Sequence, residues 1–120
     1  MAKTILVAED ERIIRNLAEI TLKKAGYQVI TANDGQEAVD IYKENAGTID
    51  LLLLDIMMPN KNGWEAYTEI REENKDIPVV FCSGYSDDVL MEEYLHETPA
   101  DIIQKPYRLN TLLEKIESVI

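Results

Sequence analysis

Several features that mark whole classes of proteins are scarce or absent in this sequence. Its 120 residues include one cysteine, Cys82, so no internal disulfide can form, which favours a reducing, cytoplasmic environment. The single histidine, His96, has acidic neighbours and is more typical of a surface residue than of a metal ligand. No apolar run approaches the roughly 20 residues that span a bilayer, and the first residues do not resemble a signal peptide. We therefore expect neither membrane insertion nor secretion.

Positive charge is also scarce. The chain has 12 Lys and Arg against 23 Asp and Glu, which gives a net charge of −11. Such a surface repels nucleic acids and anionic membranes, so we predict that the chain binds neither directly. The apolar fraction of 46% is nevertheless that of an ordinary globular protein, and 120 residues suit one domain with one core.

Short apolar runs alternate with amphipathic stretches along the whole chain. The runs predict five strands, at residues 5–8, 27–32, 49–54, 78–82 and 101–104. Helical spacing of apolar residues predicts five helices, at about 14–25, 34–44, 62–73, 86–96 and 109–120. Gly26 is typical of a helix end, and the pairs Asp34/Glu37 and Asn62/Glu65 are typical of helix starts.

This strict alternation predicts the fold. Strands joined by single helices over short connections run parallel, with right-handed crossovers and helices on both faces of the sheet. We therefore predict one doubly wound α/β domain over residues 1–120, with five parallel strands in the flavodoxin-like order 2-1-3-4-5. In such sheets, ligands bind outside the carboxyl ends of the strands, where the strand order reverses.

Polar residues follow four of the five predicted strands at this edge. They are Glu9 and Asp10 after the first strand, Asp55 after the third, Ser83 after the fourth and Lys105 after the fifth. We expect Asp10 and Asp55 to face each other, with Glu9 close by. At ~4 Å and an effective dielectric of ~20, each pair of carboxylates repels by about 4 kcal/mol. Lys105 can offset one charge of the three, so this arrangement predicts a bound cation.

Oxygen ligands with an open position indicate a hard ion, for which Mg²⁺ is the natural candidate; there are too few carboxylates for the seven ligands of Ca²⁺. A metal beside a carboxylate, a hydroxyl and an ammonium suits phosphoryl transfer. Asp55 is the predicted nucleophile because it ends the most apolar strand, whereas Asp10 is better placed to hold the metal. Each acid alone is typical of a solvated loop, but agreement at four strand ends favours a site.

These residues also make the chain resemble the response-regulator receiver family of two-component signalling, over essentially its whole length. The matching blocks are Glu9-Asp10, Asp55-Ile56-Met57-Met58-Pro59 with Gly63 after it, Ser83-Gly84, and Lys105-Pro106-Tyr107. The resemblance implies that Asp55 accepts a phosphoryl group from a histidine kinase or a histidine phosphotransfer domain. It implies that Asp10, Asp55 and the main-chain carbonyl of Met57 bind Mg²⁺, with Glu9 acting through water.

The resemblance further implies that Ser83 and Lys105 bind the phosphoryl oxygens and that the bond before Pro106 is cis. The helix predicted at 86–96, the fifth strand and the last helix would form the switched surface. The resemblance leaves open a phosphorylation-dependent homodimer. One departure is Ile102, where the family usually has Tyr or Phe. Either readout depends on movement of the 83–88 loop and the following helix, with Tyr85 or Tyr94 taking part, or Ile102 is a plain strand residue and the partner surface lies elsewhere.

Three other functions fit parts of the pattern. A phosphatase that attacks through aspartate usually has a second aspartate two residues later, where this chain has Met57. A flavin-binding electron carrier shares the fold, but Glu9-Asp10-Glu11 would repel its phosphate. A degenerate receiver that serves only as an interaction or dimerisation module is the third, although no residue required for phosphorylation is missing.

Overall fold

The structure is a computed structural model that describes residues 2–84 and 101–120. Its elements are β1 (Thr4–Ala8), α1 (Arg12–Lys24), β2 (Gln28–Ala32), α2 (Gly35–Glu44), β3 (Leu51–Asp55), α3 (Gly63–Glu73), β4 (Val79–Ser83), β5 (Asp101–Gln104) and α4 (Leu109–Val119). The predicted helix at 86–96 lies outside the described residues, as do Tyr85, Tyr94 and His96. No helix in the two described ranges has both the length and the apolar character that a bilayer crossing requires.

The five strands form one parallel sheet in the order β2-β1-β3-β4-β5. β1 pairs with β2 on one side and with β3 on the other, so Leu6 lies between Ile30 and Leu52. The strand order therefore reverses between β1 and β3, whose carboxyl ends lie side by side, with Ala8 opposite Leu54. The predicted fold and strand order are confirmed.

Strand side chains alternate between two cores, one on each face of the sheet. One core joins the sheet to α2 and α3 and includes Leu6, Leu52, Leu54, Phe81, Tyr42, Trp64 and Ile70. The other joins it to α1 and α4 and includes Ile5, Val7, Leu51, Leu53, Leu22, Leu112 and Ile116. Because helices cover both faces, β3 is buried along its whole length, which explains why its run is the most apolar in the sequence.

β2 begins at Gln28, one residue later than predicted, because Tyr27 closes helix α1. Gly26 has a φ of 100°, a conformation that glycine adopts readily. The N–H of Tyr27 donates to the Leu22 carbonyl at 3.1 Å, and the N–H of Gly26 donates to the Lys23 carbonyl at 3.0 Å. Together they form a Schellman motif, so the amide of Tyr27 belongs to the helix end.

The two predicted capping boxes form to different extents. At α3, Asn62 accepts the N–H of Glu65 at 2.8 Å, and Glu65 accepts the N–H of Asn62 at 3.0 Å. At α2, Asp34 accepts the N–H of Glu37 at 2.8 Å, but Glu37 accepts the N–H of Asn33 at 3.2 Å, one residue before the cap. The box is therefore complete at α3 and half formed at α2.

Asn62→Ala should lower the free energy of unfolding by about 1 kcal/mol, because it removes the oxygen that accepts the third amide of α3. Asn62→Asp is the matched control, since it keeps that acceptor and places a negative charge at the positive end of the helix. Denaturant unfolding of the two variants checks the prediction. Equal loss in both variants would mean that the cap contributes little.

Candidate functional site

Three carboxylates meet where β1 and β3 end. Glu9 and Asp10 follow β1 directly, and Asp55 is the last residue of β3. One carboxylate oxygen from each lies within 4.8 Å of the others, so the predicted clustering of the three acids is confirmed. The cluster exists because β1 and β3 are neighbours in the sheet although they lie far apart in sequence.

The ammonium of Lys105 joins two of these acids. Its Nζ lies 2.7 Å from Oε1 of Glu9 and 3.0 Å from Oδ2 of Asp55. The backbone of Lys105 continues the β4–β5 ladder, because its N–H donates to the Ser83 carbonyl at 2.8 Å. Burial would lower the pKa of Lys105, but the hydrogen bonds and charges of Glu9 and Asp55 raise it above its ordinary value. The side chain is therefore a fixed positive charge.

Adjacent acids of the cluster differ in burial. Glu9 is 4% exposed and Asp55 is 5% exposed, whereas Asp10 faces solvent. The N–H of Glu9 donates to the Ala32 carbonyl at 3.1 Å, and its second carboxylate oxygen accepts the N–H of Glu11 at 3.1 Å. These bonds hold the Glu9 side chain inward, in direct contact with the ammonium of Lys105, a contact that the sequence alone did not indicate.

Burial raises the pKa of both inner acids. For Glu9 it raises the pKa to about 7; the hydrogen bond from Lys105 opposes this rise, and the adjacent carboxylate of Asp55 adds to it. Burial also raises the pKa of Asp55, although Glu9 and Lys105 act in the opposite direction. One ammonium therefore does not fully compensate two buried carboxylates, and the Glu9–Asp55 pair gains a proton as the pH approaches neutrality from above.

We expect the metal-free protein to lose stability as the pH rises from about 4.5 to about 7. In that range the folded state binds more protons than the unfolded state, so the free energy of unfolding falls with increasing pH. Glu9→Gln should flatten this dependence, whereas Glu114→Gln, on the exposed side of α4, should leave it unchanged. Denaturant midpoints at pH 5 and pH 7.5, in chelator, test this. If the midpoint changed equally between the two pH values in the wild type, Glu9→Gln and Glu114→Gln, the prediction would be wrong.

The donor set fits a hard divalent cation. All three side chains offer carboxylate oxygens, and Asp10 is exposed, so an ion can reach the cluster from solvent while it keeps bound water. A divalent charge would balance the two acids that Lys105 leaves partly uncompensated, which is the environment that Mg²⁺ favours. The predicted ligand residues therefore suit the ion that the sequence indicates.

The other predicted residues lie at or near the same edge. Ser83 ends β4 and is 3% exposed, while the Met57 side chain, in the loop after β3, is 52% exposed. The Lys105–Pro106 bond is cis, as the family resemblance implies. Ile102 is half-buried against the core formed with α2 and α3.

A pocket of about 590 Å³ opens beside the acidic cluster and has an apolar wall. That wall is formed by Ile14 and Leu17 of α1, by Tyr107 of the β5–α4 connection and by Leu109, the first residue of α4. The sequence pattern assigns Leu17 to the apolar stripe of α1, but the residue is 48% exposed. The sequence offers one sign of this, because α1 has more apolar residues than a single buried stripe needs. Ile13 and Ile20 are apolar as well, and they are 73% and 51% exposed.

Comparisons with known proteins agree with this geometry. Response regulator RR06 of Streptococcus pneumoniae is 37% identical over 116 residues, which cover 97% of this chain and 52% of that protein. This chain thus spans about half the length of that relative. Among solved structures, the chemotaxis protein CheY4 of Vibrio cholerae has a TM-score of 0.89 at 26% identity, with 100% of both chains covered.

A second solved structure is similarly close. A response regulator receiver domain protein from Clostridium thermocellum gives a TM-score of 0.90 at 27% identity, covering 97% of this chain and 92% of that one. A family model described as the response regulator receiver domain matches residues 5–117. With the predicted strand order confirmed and three acids clustered at the edge where the order reverses, the chain belongs to the response regulator receiver domain family.

Proposed function

We propose that this chain, as a single receiver domain over residues 1–120, is a phospho-acceptor in a two-component phosphorelay. Asp55 receives a phosphoryl group from the phosphohistidine of a histidine kinase or of a histidine phosphotransfer domain, in the cytoplasm. The observation that supports this best is the buried Asp55 carboxylate, 3.0 Å from the Lys105 ammonium and beside two further acids. The domain acts as a signalling switch, not as an enzyme that turns over an external substrate.

In this proposal, an oxygen of Asp55 attacks the phosphorus of the donor. The new P–O bond forms as the P–N bond breaks, and the imidazole leaves with the electron pair and is protonated. Lys105 binds an oxygen of the transferred group, and the Ser83 hydroxyl donates to another. Asp10, Asp55 and the Met57 carbonyl would hold Mg²⁺, with Glu9 acting through water. When bound, the ion neutralises negative charge on the carboxylate and on the phosphoryl oxygens.

The same contacts make a modest switch feasible. Phosphorylation adds roughly −1.5 to −2 charges at Asp55. Charge-assisted hydrogen bonds from Ser83 and Lys105 contribute ~1.5–3 kcal/mol each. Reversing a 1:99 equilibrium takes about 5.5 kcal/mol, so two such bonds nearly suffice.

The surface that changes would comprise residues 86–96, β5 and α4, and Ile102→Tyr should alter partner affinity without preventing phosphorylation.

Intact mass after incubation with acetyl phosphate, with and without Mg²⁺, tests the acceptor role. We expect one added phosphoryl group that requires Mg²⁺ and is absent from Asp55→Asn. Asp101→Asn is the matched control, because Asp101 is an exposed acid at the start of β5, the opposite end of that strand from Lys105. No mass gain, together with no binding of beryllofluoride, would favour a receiver that acts only as an interaction module.

A further inference from the structure

A side-chain hydrogen bond joins the loop between β3 and α3 to the start of helix α2. The Asn60 amide donates to Oδ2 of Asp34 at 2.7 Å, although the two residues are 26 positions apart. Next to this bond the backbones touch, because a Cβ atom on Gly35 would overlap the carbonyl of Lys61. Two consecutive loop residues therefore contact the N-cap and the first residue of α2.

Asp34 carries more acceptors than a helix cap requires. Its Oδ1 accepts the N–H of Glu37 at 2.8 Å, which completes the cap of α2. Serine or threonine would serve that role with a single oxygen. The second oxygen of Asp34 is the one that holds Asn60. The backbone N–H of Glu37 and the amide of Asn60 lower the pKa of Asp34, so both bonds are made to an ionised carboxylate.

The loop is also held at its two ends, and Lys61 in its middle pairs with Glu69 of α3. The N–H of Ile56 donates to the Cys82 carbonyl at 2.9 Å, and the N–H of Gly63 donates to the Ile56 carbonyl at 3.0 Å. Asn60 lies between these ends, with a φ of 67°, and asparagine tolerates that left-handed conformation. Its amide thus links the middle of the loop that follows β3 to the start of α2.

We propose that Asp34 and Asn60 are positioning residues for the acidic cluster: their hydrogen bond holds the β3–α3 loop, and with it the Met57 carbonyl, in the arrangement that binds Mg²⁺. This inference rests on the proposed function, in which that carbonyl is a ligand. Neither residue touches the cluster, so each acts through the loop.

Asn60→Asp tests the proposal because its added charge and its loss of positioning should change Mg²⁺ affinity in opposite directions. Aspartate tolerates the same backbone conformation but cannot donate, and it repels Asp34. The added negative charge alone would tighten cation binding. Loss of positioning would weaken it, by about tenfold, which is the low end for substitutions of outer-shell partners. Calorimetric titration with Mg²⁺, without any phosphodonor, measures the sign directly.

Exchanging the two side chains provides the rescue. In Asp34→Asn/Asn60→Asp, residue 34 donates to residue 60 and its oxygen still caps α2, since asparagine and aspartate cap equally well. The net charge returns to that of the wild type. We expect the exchange to restore Mg²⁺ affinity, and to restore the amide hydrogen-exchange protection of residues 57–61 that Asn60→Asp loses.

Val39→Ala is the control for general destabilisation, because Val39 is buried on α2 and takes no part in the hydrogen bond between Asp34 and Asn60. Unchanged or tighter Mg²⁺ binding in Asn60→Asp would overturn the inference. Failure of the exchange to restore affinity, or an equal loss in Val39→Ala, would also overturn it. A wild-type protein that binds no Mg²⁺ and gains no phosphoryl group would overturn the proposed function as well, so the two failures are distinguishable.

Discussion

Lys105→Met should lower the free energy of unfolding of the metal-free protein at pH 7.5 by about 3 kcal/mol or more. The ammonium contacts Glu9 and Asp55, whose side chains are 5% and 6% exposed, and it is itself 16% exposed. Its removal leaves two buried carboxylates without a counter-ion. A surface ion pair would be worth at most about 1 kcal/mol, so the size of the loss is diagnostic.

A second substitution and a change of pH identify the cause. Adding Glu9→Gln should recover much of the loss, because a single buried carboxylate remains to be desolvated. Lowering the pH to 5 should reduce the deficit, since both acids then take up protons more readily. Lys115→Met is the matched control: Lys115 lies 3.7 Å from Asp101, and both side chains are substantially exposed. Similar losses in the two single variants would mean that side-chain packing, not charge, is responsible.

Gly63→Ala should also destabilise the fold severely, by about 3 kcal/mol. Helix propensity predicts the opposite sign, since alanine is favoured over glycine by up to about 1 kcal/mol inside a helix. Sterics outweigh propensity here, because a Cβ on Gly63 would overlap the Asp55 carbonyl and press against Cα of Ile56. These are backbone atoms, so no side-chain rotation can relieve the overlap.

Gly47→Ala separates this steric effect from backbone strain. Gly47 has a φ of 90°, but a Cβ there would meet no atom within 4 Å. That variant should therefore cost about 1–2 kcal/mol, from the left-handed conformation alone. Thermal and denaturant unfolding measure both variants. If Gly63→Ala proved no worse than Gly47→Ala, the β3–α3 loop would have to be more deformable than its contacts indicate.

Most of the fold was predictable because it depends on local pattern and on general rules of chain connection. The strict alternation of elements predicted a doubly wound parallel sheet, and the strand order was predicted from the usual five-stranded arrangement of such sheets. The clustering of Glu9, Asp10 and Asp55 followed from that order, because the ends of β1 and β3 had to meet.

Other features were not predictable, because they depend on three-dimensional contacts that local patterns do not encode. The amide of Tyr27 could serve either the end of α1 or the start of β2, and only the closed Schellman motif decides between them. Periodicity assigns Leu17 to an apolar stripe without distinguishing a buried position from the wall of a pocket. The bond between Asp34 and Asn60 joins separate elements, and no sequence spacing indicates it.

The ladder bond between Ser83 and Lys105 has a mechanical consequence. The N–H of Lys105 donates to the Ser83 carbonyl at 2.8 Å, so adjacent strands are fastened at the two residues expected to hold the phosphoryl group. Neither residue can shift far along its strand without displacing the other. Lys105 is the first of only four residues, 105–108, that connect the end of β5 to the start of α4. If the proposed phosphoryl group displaces Lys105, we expect the displacement to reach α4 through this connection of four residues.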